Sequence, residues 1–140
     1  MEKWVIYAIL SMAFAGFTSV VAKLGLDGIS GDLGLAVRTC FVFVFVLAFA
    51  AAVVPRADLG GLTRANVTWL AVSAMTTAAS WVFYYKAIKL GEVSTVALID
   101  KGSFVVAVVL SWLVLKEQIT PRVIAGMALI IAGLLVVSRR

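Results

Sequence analysis

A pair of opposite charges lies inside an apolar stretch of this chain, where charged side chains are rare. Asp100 and Lys101, followed by Gly102 and Ser103, belong to the apolar run Val93–Leu115. If a helix begins where this run begins, Asp100 lies about 10 Å along its axis. A charge at the centre of a bilayer costs about 2.5–3.5 kcal/mol on insertion scales. Buried membrane charges therefore usually mark an ion or substrate pathway, and we assign Asp100, Lys101 and Ser103 to such a pathway.

Two interpretations of this segment remain open at the level of sequence. Gly102 lowers helix propensity, and interrupted membrane helices often form binding sites. Alternatively, the helix begins near Ala97 or Leu98, so that both charges lie near the surface and Lys101 snorkels. Neighbouring helical residues point about 100° apart, so we do not expect Asp100 and Lys101 to pair with each other. A desolvated carboxylate can titrate near physiological pH, which makes Asp100 a candidate proton or cation site.

A second group of polar side chains lies in the third apolar run, at helical spacing. The four residues are Ser73, Thr77, Ser80 and Tyr84. Their i, i+4, i+7, i+11 spacing places them on one helical face. They either form the wall of a polar cavity or mediate close helix packing. Trp81 and Tyr85 lie beside this stripe, and they also suit interfacial anchoring.

Three more charged residues are candidates for function. Arg38 lies near the start of the second run and Lys86 near the end of the third, so either could be a counter-charge for Asp100 or hold an anionic group. The alternative is that both side chains extend to the membrane surface. Glu117 lies in the short turn 116–120, where it is either a solvated carboxylate or a helix-end gate.

Most of these residues lie within five apolar runs, each about long enough to cross a bilayer. Their approximate bounds are 4–22, 33–54, 67–85, 93–115 and 121–138. Hydrophobic residues make up 64% of the chain, charged residues make up 14%, and the mean hydropathy is +1.13. The sequence therefore predicts an all-α membrane protein, one domain over residues 1–140, with five transmembrane helices. We expect a multi-pass protein of the cell inner or plasma membrane.

Two of the runs have an alternative interpretation. The first resembles a signal peptide with a cleavage site at residues 13–15, but its length and Glu2 favour a retained helix. The alternation of Phe and Val over residues 41–46 resembles a strand, but the apolar flanks favour a helix.

Several residues predict where helices begin and end. Asp32 is the expected cap of the second helix, and Pro55 is expected to end it. Gly91 is the expected C-terminal cap of the third helix. Thr120 and Pro121 are expected to begin the fifth as N-cap and first helical residue. Small residues in the fifth helix predict close helix packing, within one protomer or with a second subunit; they include Gly126, Ala132 and Gly133.

An odd number of crossings places the two termini on opposite faces of the membrane. Five basic residues then lie on the face of the N-terminus: Lys3, Arg56, Arg64, Lys116 and Arg122. Six lie on the other face: Lys23, Arg38, Lys86, Lys89, Arg139 and Arg140. The positive-inside rule gives almost no preference for either orientation. The near balance favours dual topology, with copies inserted both ways.

Other classes of protein lack support in this sequence. The chain has no histidine and one cysteine, Cys40, and its acidic residues do not show metal-ligand spacing. We therefore expect no enzyme, no metal and no cofactor. The net charge of +5 is scattered over loops and ends, which does not suggest nucleic-acid binding.

Several short motifs together resemble one family. They are the turn Leu115–Thr120, the glycine-spaced helix 124–133, Lys23, Arg38 and the segment 85–92. In this order they resemble an EamA-type domain of the drug/metabolite transporter superfamily, in its small five-helix bacterial and archaeal branch. The chain departs from the family pattern at Lys116, where glycine is usual, and at the charged pair 100–101.

The resemblance implies that this chain is half of a ten-helix inverted-repeat transporter. Larger relatives contain two such domains in tandem, and the second is inverted because each has an odd number of helices. A lone unit needs an inverted partner, so an antiparallel homodimer is expected. Our hypothesis is that the protein is a secondary transporter of a small organic metabolite, coupled to protons through Asp100. The partners expected for it are this solute and the surrounding membrane lipid. The alternative is a non-transporting membrane subunit or a lipid-handling partner of another membrane protein.

Overall fold

The computed structural model describes residues 2–138, and every regular element in that range is helical. The α-helices are α1 (Lys3–Gly25), α2 (Gly31–Val53), α3 (Arg64–Leu90), α4 (Val93–Asp100), α5 (Ser103–Leu110) and α6 (Pro121–Ser138). A 3₁₀ turn at Arg56–Gly61 precedes α3, and a π-helical turn at Ser111–Leu115 continues α5. The all-α class is confirmed, and so is the helix over residues 41–46. Arg139 and Arg140 of the charge comparison lie outside the described residues.

Three segments are long and apolar enough to cross a bilayer. They are Lys3–Gly25, Gly31–Val53 and Val93–Leu115, each of 23 residues. Helix α3 has 27 residues, but its hydroxyl and charged side chains lower its hydropathy. Helix α6 has 18 residues, which corresponds to a length of about 27 Å. Crossings by these two helices therefore remain predictions.

Large apolar side chains are mostly exposed in the described part of the chain. The buried hydrophobic residues are Leu26, Tyr85 and Ile88, with exposures of 1%, 4% and 0%. Cys40, the one cysteine of the chain, is exposed on α2. An apolar surface of this extent is unfavourable in water and favourable in lipid. The exposure and the length of the apolar helices thus indicate a membrane protein.

The chain divides into two compact units. The central unit comprises Val21–Leu90, and the terminal unit combines the chain up to Val20 with the chain from Gly91 onward. In the central unit α2 packs along α3. In the terminal unit α6 packs against α4 and α5.

In the central unit, two lysines connect the C-terminal ends of α1 and α3. Lys23 Nζ donates to the carbonyl oxygen of Ile88 and, at 3.4 Å, to that of Lys89. Lys89 Nζ donates in turn to the carbonyl oxygen of Leu26 at 2.8 Å. The last carbonyls of a helix lack partners within the helix, so Lys23 stabilises the end of α3, and Lys89 holds the residue that follows α1 against it. We call this arrangement the lysine clasp.

One observed cap differs from the predicted one. Gly91 directly follows Leu90, the last residue of α3, as predicted, although its φ is not positive and the cap is therefore not a left-handed one. Asp32 was expected to cap α2, but Ser30 is the N-cap and accepts from the Leu33 N–H at 3.2 Å. The helix begins two residues earlier than predicted, so Asp32 falls in its first turn.

The other two predicted boundaries are confirmed. Helix α2 ends at Val53, immediately before the extended residues 54 and 55. Helix α6 begins at Pro121, and Thr120 Oγ1 accepts from the Val123 N–H at 3.4 Å.

Two glycines allow α2 to begin close to the lysine clasp. A Cβ atom at Gly31 would lie 2.9 Å from the carbonyl oxygen of Tyr85, and one at Gly34 would lie 2.2 Å from Leu26 Cδ2. The Tyr85 oxygen belongs to the backbone of α3, which cannot move alone. The start of α2 therefore requires glycine at position 31.

We expect Gly31→Ala to lower the free energy of unfolding by about 1–3 kcal/mol, because the added methyl group overpacks this contact. Thermal unfolding of the purified protein in detergent measures the effect. Gly25→Ala is the matched control, since a Cβ there meets nothing within 4 Å. Equal midpoints for the two variants would contradict the close approach of α2 to α3.

Candidate functional site

An open groove of about 490 Å³ lies between α2 and α3 in the central unit. Its polar and aromatic lining comes from Thr39 on α2 and from Ser73, Thr77 and Trp81 on α3. Small-molecule sites typically have volumes of about 300–1,000 Å³, so the groove is large enough to hold a metabolite.

The groove contains half of the predicted hydroxyl stripe. Ser73 and Thr77 line it, whereas Ser80 and Tyr84 are not among its lining residues. The lining follows an i, i+4, i+8 path along α3, which selects Trp81 in place of Ser80. A lining role for Trp81 was not predicted, although its distance of eight residues from Ser73 was a usable signal.

The threonine hydroxyls already donate their protons within their own helices. Thr77 Oγ1 donates to the carbonyl oxygen of Ser73 at 2.8 Å, and Thr39 Oγ1 donates to that of Leu35 at 2.8 Å. A hydroxyl that donates in this way retains lone pairs. Both threonines therefore offer the groove hydrogen-bond acceptors and no further donors.

Arg38 lies against aromatic rings of α3, one of which borders the groove. Its guanidinium carbon is 4.5 Å from the ring centroid of Trp81 and 5.8 Å from that of Tyr85. These distances suit cation–π interactions, which are worth about 0.5–2 kcal/mol. Nη1 of Arg38 is buried and has no hydrogen-bond partner among the described residues. The guanidinium thus lies over the Trp81 ring and near the Tyr85 ring, while one of its nitrogens lacks an acceptor.

Lys86 has a different partner from the one considered at the sequence level. Its Nζ lies 3.6 Å from Oδ1 of Asp32, within the central unit. Both side chains are more than half exposed, so the pair contributes little to stability.

In the terminal unit, the apolar segment 93–115 is interrupted at the predicted charged pair. Helix α4 ends at Asp100, and Lys101 and Gly102 have ψ values of −14° and −22°. The Gly102 N–H donates to the carbonyl oxygen of Ile99 at 2.8 Å, an i→i−3 bond. The interruption is thus a 3₁₀ turn, a feature that often marks a hinge within a helix. The alternative in which the helix starts near Ala97 is wrong, because α4 begins at Val93.

The interruption also lies close to α6. A Cβ atom at Gly102 would lie 2.9 Å from the carbonyl oxygen of Ile99 and 3.1 Å from Leu134 Cδ1 of α6. Asp100 and Lys101 form a loose ion pair at 4.0 Å, although we expected them not to pair. The flexible four-carbon stem of Lys101 brings its ammonium group back across the turn. Ser103 is exposed at the first position of α5.

The turn containing Glu117 begins with a left-handed residue. Lys116 has φ 56° and ψ 31°, and the Glu117 N–H donates to the carbonyl oxygen of Ser111 at 3.3 Å. The left-handed region favours glycine and costs about 1–2 kcal/mol for other residues. The Glu117 side chain is exposed.

The predicted packing residues of α6 have open surroundings in this protomer. A Cβ atom at Gly126 or Gly133 would meet nothing within 4 Å, and Ala132 is exposed. Close packing by this stripe remains a prediction. Among residues 2–138, His, Cys, Asp and Glu side chains form no group that could hold a metal ion.

Comparisons with known proteins give consistent results. The sequence profile of the EamA-like transporter family matches residues 2–139. A curated protein from Sinorhizobium sp., described as "Uncharacterized transporter in cobO 3'region", is 34% identical over 137 residues. The alignment covers 98% of this chain and 97% of that protein. No solved structure matches the chain significantly.

We expect Lys116→Gly to raise the unfolding free energy by up to about 1 kcal/mol, because relief of the left-handed strain exceeds the entropic cost of glycine. Lys116→Ala is the control, since it removes the charge and keeps the strain. Thermal midpoints in detergent distinguish the two variants. If alanine stabilises as much as glycine, the charge at position 116 is responsible and the backbone is not.

Proposed function

This chain belongs to the EamA-like transporter family, and we propose that it moves a small organic metabolite across the membrane by alternating access. The match over residues 2–139 confirms the resemblance that the short motifs indicated. The mechanistic proposal rests on the interruption of the apolar segment 93–115 at residues 101 and 102. Transporters commonly place their binding sites at interrupted helices of this kind.

In this proposal the interruption works as a hinge. Helices α4 and α5 have eight residues each, which corresponds to about 12 Å, so neither half alone crosses a bilayer. Because the two halves are short and rigid, any change in the angle between α4 and α5 has to occur in the few backbone dihedrals of the turn between them. One half can then change its tilt while the other keeps its contacts with α6.

Asp100 is the proposed proton site of this hinge. Its side chain is 39% exposed and lies next to the ammonium group of Lys101. Protonation of Asp100 would remove its negative charge and release Lys101 from the pair. Such a release would couple proton binding to the direction of the α4–α5 segment. Ser103, at the first position of α5, would take part in the same pathway.

We further propose that the working unit is an antiparallel homodimer in the inner or plasma membrane. If α3 and α6 also cross the membrane, five crossings would place the termini on opposite faces and would divide the basic residues almost evenly between the faces. An upside-down copy would complete a ten-helix arrangement of inverted repeats. The open surroundings of Gly126 and Gly133 on α6 leave room for a close helix contact with that copy. Glu117 would lie in a turn at the edge of each protomer, and we propose that it acts there as a gate.

We expect Asp100→Asn to abolish proton-coupled transport, because the amide cannot exchange a proton. The protein is reconstituted into vesicles that enclose a pH-sensitive dye, and a panel of organic solutes is added outside. Asp58→Asn is the control, because Asp58 is an exposed carboxylate in the 3₁₀ turn. Unchanged solute-driven pH signals in Asp100→Asn would remove the proton-site role. Absence of solute flux with the unmodified protein would favour the alternative of a non-transporting membrane subunit.

We expect each terminus to be found on both sides of the membrane in about equal amounts. Reporters fused separately to the two ends, or thiol labels placed there, measure this distribution in intact cells. A single orientation for all molecules would exclude the antiparallel homodimer. The hinge proposal would survive that result, because it concerns one protomer.

A further inference from the structure

We propose that the groove of the central unit binds a small organic monoanion, with its carboxylate at Arg38 and its apolar body along Trp81. The inference rests on the proposed transport function and names the class of substrate. Three observations support it: Arg38 has a nitrogen without a hydrogen-bond acceptor among the described residues, no other charged residue lies in the stretches that line the groove, and the remaining lining is mostly apolar.

Arg38 lacks an anionic partner in the described part of the chain. The ion pairs Lys86–Asp32 and Lys101–Asp100 do not involve it. Arg38 is about 10 Å along α2 from the first residue of that helix, so it lies well within an apolar span. A membrane arginine at such a depth normally pairs with an acidic group or a carbonyl.

The aromatic rings orient the guanidinium but do not satisfy its donors. The guanidinium carbon lies 4.5 Å from the Trp81 ring centroid and 5.8 Å from that of Tyr85, whereas the N–H groups of arginine point outward in the guanidinium plane and need acceptors there. Nη1 remains without an acceptor although it is buried. A carboxylate can accept two parallel bonds from arginine, which makes it the best match for these donors. The rings would hold Arg38 in place for that contact.

The charge of the groove limits the ligand to one negative group. Arg38 is not itself among the lining residues, but its guanidinium lies over Trp81, which lines the groove. The stretches 35–39 and 70–82, from which the lining residues come, contain no charged residue besides Arg38. The hydroxyl protons of Thr39 and Thr77 are donated to backbone carbonyls. A second carboxylate in the groove would meet lone pairs at both threonines. Ser73 is the remaining hydroxyl of the lining, and no second cation lies in these stretches, so a dianion is disfavoured relative to a monoanion of the same size.

The remaining walls favour an apolar or aromatic ligand body. Leu35, Leu70, Ala74, Ala78 and Val82 line the groove alongside the Trp81 ring. The small alanine side chains leave space beside that ring, where a flat body can stack. The ligand that fits all three features has one carboxylate and a compact aromatic or branched apolar body.

Benzoate is a suitable probe, with benzamide as its neutral analogue, benzylamine as its cationic analogue and terephthalate as its dianionic analogue. Calorimetric titration of the detergent-solubilised protein is expected to show binding of benzoate that is at least about tenfold tighter than that of the other three. Arg38→Gln is expected to weaken benzoate binding about tenfold or more, and Arg38→Lys by a smaller factor, because lysine keeps the charge and loses the bidentate geometry. Arg64→Gln, at the exposed start of α3, is the matched control and is expected to bind like the unmodified protein.

Gel filtration and the thermal midpoint show whether each variant is folded. If Arg38→Gln is misfolded, the benzoate affinity of Arg38→Lys is the test of the proposal. The proposal would be overturned if benzamide bound as tightly as benzoate, or if benzylamine bound more tightly than benzoate. It would also be overturned if a folded Arg38 variant kept the benzoate affinity of the unmodified protein. A third result would assign Arg38 to a lipid contact and overturn the proposal. In that case the unmodified protein would co-purify with anionic lipid and not bind benzoate, and Arg38→Gln would lose the lipid. Benzoate binding without any vesicle flux would support the site and contradict the transport function, so the two failures are distinguishable.

Discussion

The lysine clasp determines the geometry of the central unit. Lys23 and Lys89 exchange bonds with backbone carbonyls at the ends of α1 and α3, and Leu26 and Ile88 are buried beside them. The Ile88 and Lys89 carbonyls are among those that the end of α3 leaves without partners, and Leu26 directly follows the end of α1. Because Gly31 lets α2 begin against the same end of α3, the two helices have a defined register. The position of Arg38 over the Trp81 ring and the groove between α2 and α3 both follow from that register.

Three places break a local rule of helix structure, and the proposed functions use two of them. The charged pair at residues 100 and 101 interrupts an apolar segment, and Arg38 lies in an apolar span without an acidic partner. Both features cost free energy in a membrane and are typical of sites that bind or move charge. The left-handed conformation of Lys116 is the third. The left-handed region favours glycine, and nothing in the structure explains the lysine.

Local features of the fold could be predicted from the sequence, whereas contacts between distant residues could not. The boundaries at Pro55 and at Thr120–Pro121 depend only on backbone chemistry within a few residues. The clasp joins Lys23 to Ile88, and no sequence pattern relates those positions. The groove likewise depends on which turn of α3 faces α2, so helical spacing alone selected Ser80 where the packed structure uses Trp81. Lys23 and Arg38 were recognised by resemblance, but their partners required coordinates.

The single exposed thiol of Cys40 offers direct spectroscopic access to α2. It lies two residues after Arg38, so its side chain leaves the helix about 200° away from the guanidinium. A nitroxide or fluorophore attached there would report on α2 from the side opposite the aromatic rings. No native cysteine has to be removed first, because the chain has one. Two labelled copies in one assembly would give a single interspin distance, which differs between parallel and antiparallel arrangements.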